Sequence, residues 1–207
     1  MEYEALTRDD LANVRAFNSA WLKLQPDRGI EKGVPRLADK RLERLAGTPF
    51  MLFSFREQDE RLWRSLLGEG RQEDLLAADS ALSTELHALQ SMGLAFLWEL
   101  SRRNPYVARI VSGAPLRWCE QIAATTLLKV LDRTAYCLVI EPRFDPVSSI
   151  HQRLLRRGGS PVRDRRVYAQ ISALQVLLTG TEQIRDRQLP AAACRMVRIT
   201  RQVADEV

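Results

Sequence analysis

Apolar residues along the chain recur mostly at helical intervals. Leu11, Val14, Phe17 and Trp21 form one stripe, and Thr7 stands before it with Asp10 three residues later. A hydroxyl followed at that distance by an acid has the form of a capping box, so a first helix is expected from Thr7. "QPDRGIEKGVP", Gln25 to Pro35, reads as a loop, and Pro35 suits the start of a second helix through Leu45. Gly47-Thr48-Pro49 breaks that helix. The run "FMLFSF" that follows fits a strand or a buried helical turn, which periodicity cannot separate in so short a segment. Leu62, Trp63, Leu66 and Leu67 then resume helical spacing up to Gly68 and Gly70.

The longest pattern runs from Asp74 to Arg102, with Leu82, Leu86, Leu89, Leu94, Leu97 and Leu100 on one face. Its later half, "MGLAFLWEL", is apolar nearly all round, which predicts burial by other helices or by a second subunit. Short helices are expected over 106–111, 115–123 and Thr126 to about Ile140, then over Val147–Arg157 after a turn flanked by Pro142 and Pro146. "RRGGSPVRDRR", Arg156 to Arg166, combines loop residues with dense charge. Val167–Ile184 is amphipathic, with Ile171, Leu174, Leu177 and Leu178 expected inward. A last helix is expected over Pro190–Val203, carrying Cys194, Met196, Val197 and Ile199. The pattern predicts an all-α, multi-helix, bundle-like protein. It divides into an N-terminal unit (1–70), a central unit (71–157) and a basic C-terminal part (158–207) packed on the rest.

One similarity recurs within the chain. "RLERLAGTPFMLFSFRE" at Arg41 can be laid on "LLKVLDRTAYCLVIEPRFD" at Leu127, matching Leu42 with Leu128, Leu45 with Leu131, Thr48 with Thr134 and Leu52 with Leu138. Such self-similarity is the mark of a duplicated supersecondary unit, although three of the four identities are leucines in a leucine-rich chain.

Composition narrows the function classes. The 207 residues are 45% hydrophobic and 28% charged, as in a folded domain, and no apolar run reaches the roughly 20 residues of a membrane span. The acidic start, MEYEALTRDD, lacks the layout of a signal peptide, so a cytoplasmic protein without membrane contact is expected. Cys119, Cys137 and Cys194 are too few and scattered for a disulfide framework. With only His87 and His151 beside them, no zinc site is expected. No phosphate-binding loop, dinucleotide fingerprint or nucleophile elbow is present, so neither an enzyme nor a cofactor is expected. The four tryptophans each lie in an apolar helical stripe and read as core anchors.

Charge is unevenly spread. Residues 151–207 carry 11 Arg against 5 Asp and Glu, whereas residues 1–150 are near balance at −1. The candidate contact residues are therefore Arg153, Arg156, Arg157, Arg163, Arg165 and Arg166. Two readings stand: a linker with solvated arginines, or a surface that meets nucleic-acid phosphates without reading sequence.

The segment Leu94–Asp145 resembles the FlhD family of flagellar transcriptional activators. The likeness lies in a leucine-rich helix, a short helix ending in glycine, and a block here formed by Thr126, Leu127, Leu131, Thr134, Cys137, Phe144 and Asp145. The looser match "DRRVYAQISALQVLLTG" follows it. The resemblance implies a helical protein that dimerises and acts within a transcriptional complex, with an FlhC-like partner making most contacts to duplex DNA. The family's cysteine that can join two subunits falls on Cys137. The chain departs from the family in about 80 additional N-terminal residues, in Glu141-Pro142 before Arg143, and in the "RRGGSP" stretch. The reading is thus an FlhD-like regulatory homo-oligomer, with Leu94, Leu97, Trp98 and Cys137 at a subunit interface. Its alternative is a helical adaptor or chaperone-like scaffold whose arginines meet an acidic protein.

Overall fold

The computed structural model describes residues 3–24, 39–68, 84–135 and 137–186, with the side chains of 181–186 outside the description. Its elements are α1 (Arg8–Leu24), α2 (Asp39–Ala46), β1 (Phe53–Ser54), α3 (Glu60–Leu67), α4 (Thr84–Arg103), α5 (Pro105–Ser112), α6 (Leu116–Ala124), α7 (Leu127–Thr134), β2 (Glu141–Pro142), α8 (Ser149–Gly158) and α9 (Arg163–Asp186). The all-α expectation holds, and the two-residue strands are a minor addition to it. The helices expected to begin at Pro35 and Asp74 are described only from Asp39 and Thr84. The helix expected over Pro190–Val203 lies outside the described residues.

Local chemistry sets several helix starts as the sequence implies. Thr7 and Asp10 form the reciprocal box: the Asp10 N–H donates to Thr7 Oγ1 at 3.0 Å, and the Thr7 N–H donates to the Asp10 carboxylate at 2.9 Å. Asn104 caps α5 through the N–H groups of Tyr106 and Val107, and Ser148 caps α8 through that of His151. Within α1, Val14 and Trp21 are buried and Phe17 half-buried, but Leu11 faces solvent.

In the middle of the chain the structure decides one open reading and corrects one expectation. "FMLFSF" is extended: Phe53 and Ser54 pair antiparallel with Pro142 and Glu141, so the ends of the two similar segments meet each other. Pro142 is tolerated because a two-stranded ribbon leaves both strands as edges. The helix expected from Thr126 to about Ile140 ends at Thr134. It stops there because the Gln90 side chain takes up the exit of the helix: its Nε2 donates to the carbonyls of Thr134 and Cys137 at 3.0 and 2.8 Å, and its Oε1 accepts the Val139 N–H at 2.7 Å.

The same device holds the first segment. Asn18 Nδ2 donates to the carbonyls of Ala46, Thr48 and Phe50, and its Oδ1 accepts the Leu52 N–H at 2.8 Å. In both segments the threonine hydroxyl at the helix end bonds back to a leucine carbonyl, Thr48 to Leu45 and Thr134 to Leu131. These pairs are the ones that the sequence alignment matches. Each unit is therefore a helix bearing a buried amide that clamps the chain leaving a following helix.

The largest core joins Val14, Trp21, Phe53 and Trp63 to Leu94, Trp118 and Ile122, so the N-terminal and central units share one interior. A second cluster, Leu45, Phe50, Phe144, Leu154 and Ala173, ties α2 and the ribbon to α8 and α9. Between the units lies the ion pair of Glu57 and Arg143. Both of its guanidinium–carboxylate contacts are 3.0 Å, with 0% and 4% of the respective side chains exposed.

Candidate functional site

The charged stretch Arg156–Arg166 is not a loop throughout. Helix α8 continues to Gly158, the turn occupies 159–162, and α9 begins at Arg163, four residues before the expected Val167. The glycines serve close contact with α2. A Cβ on Gly159 would lie 2.5 Å from Arg41 Cγ and 2.6 Å from its carbonyl oxygen. One on Gly158 would lie 2.9 Å from Leu45 Cδ1. Arg41 completes the joint by donating from its guanidinium to the carbonyls of Leu155 and Arg156 at 3.4 and 2.5 Å. Those carbonyls belong to the last turn of α8, where intrahelical donors run out and a cation is favoured.

This joint fixes where the arginines point. Leu154 is buried in the second cluster. Arg153, Arg156 and Arg157 are exposed and share one flank of α8, within an arc of about 100°. In α9 the grouping breaks. Arg163 and Arg165 are exposed but two positions apart, about 200° around the helix, and so leave in nearly opposite directions. Arg166 is half-buried and donates to the Ser160 carbonyl at 2.8 Å, stapling the turn. None of these six arginines is in an ion pair among the described residues. The outward side of α9 also shows Val167, Tyr168 and Ile171, of which Ile171 was expected inward. Its inward positions are Ala169 and Ala173, because α9 lies close against α8.

The residues expected at a subunit interface separate. Leu94 and Leu97 are fully enclosed by their own chain, and Gly93 abuts Phe55, whose ring would lie 2.7 Å from an added Cβ. A second copy cannot reach them without opening the core, so that expectation is corrected. Helix α4 packs on α5, α6, α7 and α1, and Phe53 and Phe55 share its core. Trp98 is half-buried, donates its indole N–H to the Thr125 carbonyl at 2.7 Å, and carries the Arg102 guanidinium over its ring at 4.8 Å. Cys137 is half-buried at the Gln90 clamp.

Reactive chemistry is muted in the remaining groups. Burial, reinforced by the Glu57 charge, pushes the Cys119 thiol up to about 12. Burial also raises the Cys137 thiol, against a smaller opposing pull from Arg56. His151 is lowered by burial, against the attraction of Asp145. Among the described residues no group of His, Cys, Asp and Glu could hold a metal ion. A cleft of about 220 Å³ between α3 and α6 is floored by Trp63 and Trp118, and Glu60 at its mouth is shared by Arg64 and Arg117 at 3.5 and 3.6 Å. No helix among the described residues is long and apolar enough to cross a membrane.

Sequence reasoning missed the amide clamps, the Glu57–Arg143 pair and the part played by α2. A signal for the first was present. Asn18 stands four residues after Val14 and three before Trp21, on the face that has to be buried. Comparison with models of protein families, with curated proteins and with solved structures finds no match to this chain.

Proposed function

We propose that the protein is a helical regulatory assembly factor, FlhD-like in role, which contacts duplex DNA through the arginine-rich face of α8. The observation that carries this reading is the exposure of Arg153, Arg156 and Arg157 on one helix face, with no carboxylate paired to any of them among the described residues. Unneutralised guanidinium groups in a row suit a phosphate backbone, where they release counterions and hold the protein without reading bases. A second reading, an adaptor that binds an acidic protein, is favoured by Val167, Tyr168 and Ile171, which lie exposed on α9, the helix packed against α8. A protein partner would cover them, whereas phosphates would not.

Titration of a labelled 30-bp duplex with the full chain, at salt concentrations from 50 to 200 mM, tests the choice. On the DNA reading the logarithm of affinity falls linearly with the logarithm of salt. Replacing Arg153, Arg156 and Arg157 by Gln lowers that slope by about three. Absence of binding at 50 mM salt rejects the DNA reading and leaves the adaptor.

A further inference from the structure

The sequence assigns the basic excess to the C-terminal quarter, but the fold sets a second basic element against it. Helix α2 meets the end of α8 through Arg41 and Leu45, with Gly158 and Gly159 allowing the close approach. Around α2, Arg44 lies about 60° and Lys40 about 100° from Arg41 in the same direction, so both border the contact that Arg41 makes on one side. Asp39 and Glu43 fall about 160° from Arg41, on the side of α2 away from that contact, with Glu43 about 60° from Lys40. Lys40 is exposed and Arg44 half-buried, and neither is in an ion pair among the described residues. Arg41 itself is occupied by the carbonyls of α8.

We infer that the DNA-contacting surface is bipartite: Lys40 and Arg44 of α2 meet duplex phosphates together with Arg156 and Arg157 of α8. This rests on the DNA reading above and extends it to a helix more than 100 residues away in the chain. A duplex suits two short basic elements at a fixed spacing, because its phosphates recur along a rigid path. A flexible acidic peptide needs no such rigidity. The glycine joint supplies the rigidity, and Arg41 locks it from the α2 side.

The test compares three double variants of the full chain on the same duplex: Lys40→Gln with Arg44→Gln, Arg156→Gln with Arg157→Gln, and, as a charge control on α1, Arg8→Gln with Lys23→Gln. Circular dichroism first establishes that each retains the wild-type helix content. The α2 and α8 pairs are each expected to lower the salt slope by about two and to weaken binding about tenfold at 100 mM salt, with the control near wild type. A wild-type slope for the α2 pair, with a reduced slope for the α8 pair, overturns the bipartite surface while leaving the DNA reading intact. Equal losses in all three variants overturn it as well, since net charge alone then accounts for binding. Failure of the wild-type chain to bind the duplex rejects both.

Discussion

Glu57 and Arg143, 86 residues apart, form a two-pronged ion pair that is almost wholly buried. The same interval separates the segments that resemble each other in sequence, so the pair joins matching positions of the two units. Arg143 also donates to the Phe53 carbonyl, and Ser54 donates to Glu57, which binds the pair into the ribbon. The desolvation cost of such a pair is offset only while both partners are present.

Removing one partner should therefore be severe. Glu57→Ala and Arg143→Ala are each expected to lower unfolding free energy by about 3–5 kcal/mol, since each leaves a buried charge uncompensated. The double variant should lose clearly less than the sum of the two. Urea denaturation of the four species measures the coupling, and strict additivity would contradict a direct pairing.

The amide clamps make a second prediction. Asn18→Ala and Gln90→Ala strip partners from buried backbone groups on each side of the molecule. Each should cost about 2–3 kcal/mol in a denaturant titration. Asn18→Asp should also destabilise, because a carboxylate keeps the acceptor for Leu52 but cannot donate to three carbonyls.

Two glycines should respond in opposite directions to alanine. Gly159→Ala drives a methyl into the Arg41 backbone and is expected to cost about 1–3 kcal/mol, partly separating α2 from α8. Gly180 lies within α9 with nothing within 4 Å of an added Cβ, so Gly180→Ala should gain up to about 1 kcal/mol from helix propensity. Thermal melting of the two variants reads both effects.

Stability should fall in acid through Asp10. Burial alone would raise its carboxyl, but hydrogen bonds from the Thr7 backbone and hydroxyl and from Arg103 outweigh that and hold it below the usual 3.8. The folded pKa is thus lower than the unfolded one, so the stabilisation is complete above about pH 4 and is lost as pH falls through the folded value. Asp10→Asn should be less stable than wild type at pH 7 and should show a shallower decline below pH 4 in chemical denaturation.

The thiols should differ in reactivity. With its pKa at about 12, Cys119 has almost no thiolate at neutral pH and lies fully buried. Iodoacetamide at pH 8 should modify Cys137 before Cys119, as read by peptide mass mapping. Equal labelling of the native protein would contradict the enclosure of Cys119.

The sequence by itself determined the helical class, most helix starts and where arginine is concentrated. Each of these depends on residues near one another in the chain: Thr7 with Asp10, Asn104 before Pro105, Arg153 with Arg156 and Arg157. It also held the similarity of the two segments, though as a faint leucine pattern. Only the tertiary structure decided where α7 ends, because Gln90 reaches its exit across 44 residues at Thr134. It likewise decided that Leu94 and Leu97 are covered by their own chain: an apolar face specifies burial but does not name its cover. The arginine surface changed for the same reason. Helical register could place three arginines on one face of α8. The approach of α2, made close by glycines and held by Arg41, depends on packing between residues more than 100 positions apart, which no local pattern records.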